Sequence, residues 1–105
     1  MSLSLLIPVY NEIEQLEYTI KKLKKLKQKL KRLEIIFIDD LSTDNSSEYI
    51  KKNSKGSPFI KVFKNKKKGL GSAIQEGIKK SKSDYICIFM CDMSDDVNDI
   101  IKYYK

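Results

Sequence analysis

Four short apolar runs, separated by polar turns and by stretches of helical periodicity, constrain this chain more than any other feature. That alternation is the pattern of βαβ units, and it predicts an α/β fold with a mostly parallel sheet of about four strands and helices on both faces. The first run, Leu3-Ser4-Leu5-Leu6-Ile7-Pro8-Val9, is apolar at nearly every position, as a strand buried on both faces should be. Pro8 cannot donate a ladder bond, so it is expected to mark the strand's end. From Glu12 to about Leu33, the residues Ile13, Leu16, Ile20, Leu23, Leu26, Leu30 and Leu33 recur at steps of three and four, the apolar stripe of an amphipathic helix. Asn11 is its expected cap, with Glu12, Glu14 and Glu17 at the positive end of the helix dipole. Further strands are expected at Leu33–Ile38, Phe59–Phe63 and Tyr85–Met90. Further helices are expected from about Ser46 to Lys52, Leu70 to Lys80 and Val97 to Tyr104. In the Leu70–Lys80 helix, Ala73, Ile74 and Ile78, with Gly77, form the expected inward face.

Composition then removes whole classes of function. A chain of 105 residues has room for one domain, and 41% hydrophobic with 33% charged residues argues against disorder and fibrous repeats. No apolar run approaches the roughly 18 residues of a membrane span, and the opening stretch does not read as a signal peptide. With no histidine, Ser-His-Asp and Cys-His catalysis are excluded, and two cysteines alone argue against a zinc site. Cys87 and Cys91 read as reduced thiols of a cytoplasmic protein. Acid–base or metal chemistry must therefore fall to carboxylates.

A net charge of +7 favours anionic partners. The lysine-rich stretch from Lys21 to Arg32 is either a solvated helix face or a basic helix lying against anionic lipid. Its lack of interleaved aromatics argues against nucleic acid as a partner.

Polar signals gather at three expected strand ends: Tyr10-Asn11-Glu12, Asp39-Asp40, and Asp92 to Asp96. In open parallel sheets, ligands bind beyond the carboxyl ends of the strands where strand order reverses. Taken singly, Asp39-Asp40 and Asp95-Asp96 read equally well as helix caps. Taken together, carboxylates converging at one rim need a compensating cation or a hydrogen-bonding ligand such as a nucleoside.

The same residues carry a family resemblance. Ile7-Pro8-Val9-Tyr10-Asn11-Glu12, Ile38-Asp39-Asp40-Leu41-Ser42-Thr43-Asp44, Gly69-Leu70-Gly71-Ser72-Ala73 with Gly77, and Ser83-Asp84-Tyr85-Ile86 before an Asp-containing turn resemble family 2 glycosyltransferases of GT-A fold. The Lys-x-Gly-Leu-Gly loop and the Asp-x-Ser-Asp-Asp turn look closest to the dolichol- or undecaprenyl-phosphate sugar transferases. The resemblance implies a Rossmann-like three-layer domain in which Pro8, Tyr10 and Glu12 line a nucleoside pocket. Asp39 would face the base with Asp40 nearby, and the glycine loop would contribute Lys67 and Gly71. Asp92 would be the metal ligand, matching the last aspartate of the Asp-x-Asp element that binds Mg²⁺ or Mn²⁺ on the donor diphosphate.

Two positions depart from the pattern. Met90 stands where the first aspartate belongs, and methionine is a poor ligand for a hard cation. Either Asp92 works with water, diphosphate oxygens and Ser94 or Asp95, or metal binding is weakened. Leu41 replaces a residue that is commonly glycine.

The implied reaction is inverting transfer of a sugar from a nucleotide-diphosphate donor. The acceptor is either a lipid phosphate, already ionised, or a saccharide hydroxyl, which needs a carboxylate base. That base would lie in an acceptor-side half following the Asp-x-Asp turn, so residues 1–105 read as the nucleotide-sugar-binding half. The alternative is a binding half-domain without catalysis. A phosphoacceptor receiver domain would place its acidic pair after the first strand, and a basic membrane adaptor would leave the acidic turns unexplained. The further expectations are a cytoplasmic location extending to the inner face of the membrane, peripheral membrane contact and self-association through exposed apolar surface.

Overall fold

The apolar runs at 3–9 and 33–39 lie side by side as parallel neighbours, register Leu3 to Leu33 through Val9 to Asp39, in the middle of a four-stranded sheet. The computed structural model describes residues 2–89. Along the chain these form β1 (Leu3–Val9), α1 (Ile13–Lys29), β2 (Leu33–Asp39), α2 (Ser46–Asn53), β3 (Ile60–Lys64), α3 (Leu70–Lys80) and β4 (Tyr85–Ile88). The strand order is β3-β2-β1-β4, with every pairing parallel. Right-handed crossovers dictate the layers. The chain steps from β1 to β2 to β3 with α1 and α2 on one face, then returns past β1 to β4 with α3 on the other.

Both faces are filled by the residues that the periodicity selects. Leu5, Ile7 and Val9 with Ile35 and Phe37 pack against Leu16, Ile20, Leu23 and Leu26 of α1 and Ile50 of α2. On the opposite face, Leu6, Ile36 and Ile38 meet Ala73, with Phe63 at the margin. α3 comes very close to the sheet here. A Cβ on Gly77 would stand 3.0 Å from Leu6 Cδ1 and 3.4 Å from Ile38 Cγ1, so any side chain there would force Leu6 to give way by a few tenths of an ångström.

Several boundaries differ from expectation, each for a reason outside its own segment. β1 continues through Pro8 to Val9. Main-chain groups of β1 alternate between neighbours, and the Pro8 nitrogen faces the β4 side, beyond the last described pair, Leu6 with Ile88. α1 stops at Lys29 because Leu30 turns extended (φ −120°, ψ 88°) to deliver the chain to β2. Lys27 Nζ donates to Lys31 O and, at 3.1 Å, to Leu33 O, holding that reversal. Asp39 belongs to β2, opposite Val9 and Lys64, instead of closing it. Phe59 precedes β3, which begins at Ile60 and extends through Lys64. Ile78 is 49% exposed and so is not part of the inward face of α3, and Ile86 and Ile88 of β4 are exposed as well, because among the described residues β4 pairs only with β1. Met90 and the expected Val97–Tyr104 helix lie outside the described residues.

The α1 lysines are partly engaged in holding the fold. Lys24 Nζ donates to Asn53 O at 3.1 Å, Lys27 lies 5.2 Å from the Phe59 ring centroid, and Lys21 pairs with Glu17 at 3.2 Å. No helix among the described residues is long and apolar enough to cross a membrane.

Candidate functional site

Strand order reverses between β1 and β4, so the switch point sits at the carboxyl end of β1. Three loops meet along that rim, and polar side chains stitch them together. Asn11, at φ 50°, donates its N–H to Ser42 Oγ at 2.9 Å, and its Oδ1 accepts from Thr43 N at 2.7 Å. Asn11 is therefore a bridge from the β1–α1 loop to the β2–α2 loop and not the cap of α1. The acceptor for α1's first turn comes from the other loop: Ile13 N donates to Asp44 Oδ2 at 3.1 Å. Asp44 also accepts from Ser46 N at 3.1 Å and from Ser46 Oγ, so one carboxylate serves the N-termini of two helices. Partial burial would raise its pKa, but the bonds from the Ser46 side chain and the Ile13 and Ser46 main chain outweigh that. The carboxyl sits below its ordinary range.

The acidic pair divides its work between two loops. Asp39 is 2% exposed, and its Oδ1 accepts from Ser42 N at 3.0 Å. Asp40 reaches the opposite way, to the β3–α3 loop. Gly69 N donates to Asp40 Oδ1 at 2.9 Å and Oδ2 at 3.2 Å, and Asn65 Nδ2 donates to Oδ1 at 3.0 Å. Gly69 adopts φ 142°, a conformation that only glycine adopts freely. Gly71 is different: a Cβ there would meet nothing within 4 Å, so its own packing does not require glycine.

Tyr10 and Glu12 stand on the same rim. Tyr10 N donates to Glu12 Oε1 at 3.3 Å, and the Tyr10 ring is 42% exposed. Lys68 Nζ lies 3.9 Å from its centroid, a cation–π contact that ties the glycine loop to the β1–α1 loop. Lys67 is exposed, with its carbonyl accepting from Asn65 Nδ2 at 2.7 Å. Pro8 is buried in β1 just below this group.

The fold thus brings Pro8, Tyr10, Glu12, Asp39, Asp40 and the Lys67–Gly71 loop to one edge. Asp92, Ser94 and Asp95 lie outside the described residues. Among the described residues no group of three His, Cys, Asp or Glu could hold a metal ion. Asp39 and Asp40 are already occupied by main-chain and amide donors, so the described residues do not by themselves fit a divalent cation. Sequence reasoning missed Asn65, which is 3% exposed, and the bonds that tie Asn11 to Ser42 and Thr43 and Asp44 to Ile13. Asn65 reads only as one polar residue in a lysine run, and its side-chain partners are up to 25 positions away. A groove between α1 and α2, lined by Glu17, Ile20, Lys21, Lys24, Tyr49 and Asn53, includes none of the rim residues.

The model of the family described as "Glycosyl transferase family 2" matches residues 4–104. The chain belongs to this family. Poly-beta-1,6-N-acetyl-D-glucosamine synthase of Staphylococcus aureus (strain COL) is 36% identical over 97 residues, 92% of this chain and 22% of that protein. Probable glycosyltransferase YdaM of Bacillus subtilis (strain 168) is 34% identical over 93 residues, 85% of this chain and 22% of that protein. This family 2 chain therefore spans about a fifth of the length of these curated relatives.

Solved structures share its fold. The mannosyltransferase PcManGT from Pyrobaculum calidifontis, in complex with GDP-Man and Mn²⁺, matches with TM-score 0.77 at 17% identity, covering 86% of this chain and 27% of its own. S. aureus TarS 1–349, in complex with UDP-GlcNAc, matches with TM-score 0.71 at 19% identity, covering 98% and 31%. The α/β architecture with a parallel sheet is that of the GT-A glycosyltransferases.

Proposed function

We propose that residues 1–105 form the nucleotide-sugar-binding half of an inverting glycosyltransferase, with the donor held at the rim where β1, β2 and β3 end. The observation that carries this reading is the convergence of Tyr10, Glu12, Asp39, Asp40 and Lys68 at the switch point of a family 2 chain. It is supported by two structural neighbours that are complexes with UDP-GlcNAc and with GDP-Man, and by the similarity to a poly-beta-1,6-N-acetyl-D-glucosamine synthase.

In the transfer, an acceptor oxygen attacks the anomeric carbon as the bond from that carbon to the diphosphate oxygen breaks on the opposite face. The electron pair leaves with the nucleoside diphosphate, so the energetic burden is negative charge growing on the leaving group. Lysines of the β3–α3 loop, Lys68 above Tyr10 and the exposed Lys67, supply positive charge at the rim. A divalent Mg²⁺ or Mn²⁺ bound through Asp92 would add Lewis-acid stabilisation of the diphosphate. The aromatic ring of Tyr10 offers a face on which a base stacks.

The acceptor we infer is a polyprenyl phosphate, following the Lys-x-Gly-Leu-Gly and Asp-x-Ser-Asp-Asp resemblance. Such an acceptor is already ionised and needs no general base. With such an acceptor, the protein would work at the cytoplasmic face of a membrane.

Calorimetry of the 105-residue chain with UDP-GlcNAc and GDP-Man, with and without Mn²⁺, tests the reading. Metal-dependent binding of one donor is expected, weakened by about tenfold or more in Asp39→Ala and in Asp92→Ala. Absent binding, or two variants matching the parent, would overturn the donor site. Adding a polyprenyl phosphate and following nucleoside diphosphate release then separates transfer from binding alone.

A further inference from the structure

β3 ends on Lys64 and the loop after it carries Lys66, Lys67 and Lys68, four lysines in five positions, and like charges this close push one another apart. Something must hold the loop against that repulsion for Lys68 to rest on Tyr10. The residue at the centre is Asn65. It is 3% exposed, and its main-chain N–H donates to Asp39 O at 2.8 Å, anchoring it at the end of β2. Its carboxamide nitrogen donates to Asp40 Oδ1 at 3.0 Å, to Lys67 O at 2.7 Å and, more weakly, to Gly69 O at 3.4 Å. Its carboxamide oxygen accepts from Ser72 Oγ at 3.3 Å, reaching the first turn of α3. Asp40 closes the clasp by accepting from Gly69 N with both oxygens.

Asparagine is the side chain that this arrangement demands. It needs N–H donors directed at a carboxylate and a carbonyl, with an acceptor on the other branch. An aspartate of the same shape would set a second carboxylate against Asp40 and two carbonyl oxygens.

We propose that Asn65, through Asp40 and Gly69, is a positioning residue that fixes the lysine–glycine loop over Tyr10 and thereby sets the affinity of the rim for a nucleoside diphosphate. This rests on the donor-site reading above, but it assigns a role to a buried residue that acts through its neighbours. It acts by holding Lys68 where the ligand's charge would meet it, so that ordering the loop is not left to the binding event.

Two measurements on Asn65→Ala and the isosteric Asn65→Asp test it, with the 105-residue chain held well below its unfolding midpoint. The first is amide hydrogen exchange. Gly69 N–H should exchange about tenfold faster or more in both variants, while amides of the central strand β2 keep their protection and report an intact fold. The second is calorimetry with UDP and with GDP in the presence of Mn²⁺, where whichever nucleotide the parent binds should bind about tenfold or more weakly in the variants. Gly69 exchange unchanged from the parent overturns the clasp. Faster Gly69 exchange with unchanged nucleotide affinity overturns the positioning role and leaves the donor site standing. A parent chain that binds neither nucleotide overturns the donor-site reading itself, and the positioning role with it.

Discussion

Gly69 and Gly71 sit two residues apart in the same motif yet answer to different physics. Gly69 holds φ 142° so that its N–H faces the Asp40 carboxylate, whereas the space where a Gly71 Cβ would stand is open. Gly69→Ala should therefore cost about 1–3 kcal/mol of stability through backbone strain alone. Gly71→Ala should be close to neutral, within about 0.5 kcal/mol. Urea denaturation of the two variants against the parent checks this, and equal losses would contradict it. The glycine motif was legible in the sequence, but which glycine the backbone requires was not. That depends on an aspartate 29 positions upstream, across the sheet. Asn65 was hidden for the same reason, since its side-chain role exists only once β2 and β3 are paired.

At the scale of elements, the joints between helices and strands carry a pH dependence. Asp44 serves the first turns of α1 and α2. Glu34, on β2, accepts from Ser4 Oγ of β1 at 2.8 Å and from Lys61 Nζ of β3 at 3.2 Å. Burial would raise the Glu34 pKa, but the hydrogen bonds from Ser4, Lys61 and the Lys82 main chain, with the Lys61 charge, bring it below its ordinary value of 4.5. Both carboxyls are thus more acidic folded than unfolded. Their contribution is fully present above the unfolded values, 4.5 for Glu34 and 3.8 for Asp44, and is lost as pH falls through the lower folded values. Thermal unfolding followed from neutral pH to about pH 3 should show a falling midpoint, with a shallower fall in Glu34→Gln and Asp44→Asn. Variants as acid-sensitive as the parent would contradict the assignment. Strand and helix order was readable because each apolar run and stripe is a local property. Exposure of β4 and Ile78 was not, because burial is decided by neighbours. The start of α1 was misread for a like reason: its acceptor, Asp44, lies 31 residues away from Ile13.

For the whole molecule, order β3-β2-β1-β4 makes the rim a site by putting the reversal of strand order at the end of β1. Among the described residues, two helices on one face and one on the other leave the loops after β1, β2 and β3 free to meet at one edge. The net charge of +7 then favours anionic ligands over the whole surface, so rim binding must be told apart from general attraction. The groove between α1 and α2, with Lys21 and Lys24, is the natural competitor for an anion. The most direct measurement is a ¹⁵N amide shift map of the 105-residue chain titrated with UDP and GDP in the presence of Mg²⁺ at about 0.15 M salt. The account predicts saturating shifts at Tyr10, Glu12, Asp40 and Lys68-Gly69, with α2 silent. Shifts centred on Lys21, Lys24 and Asn53, or none at the rim, would contradict it.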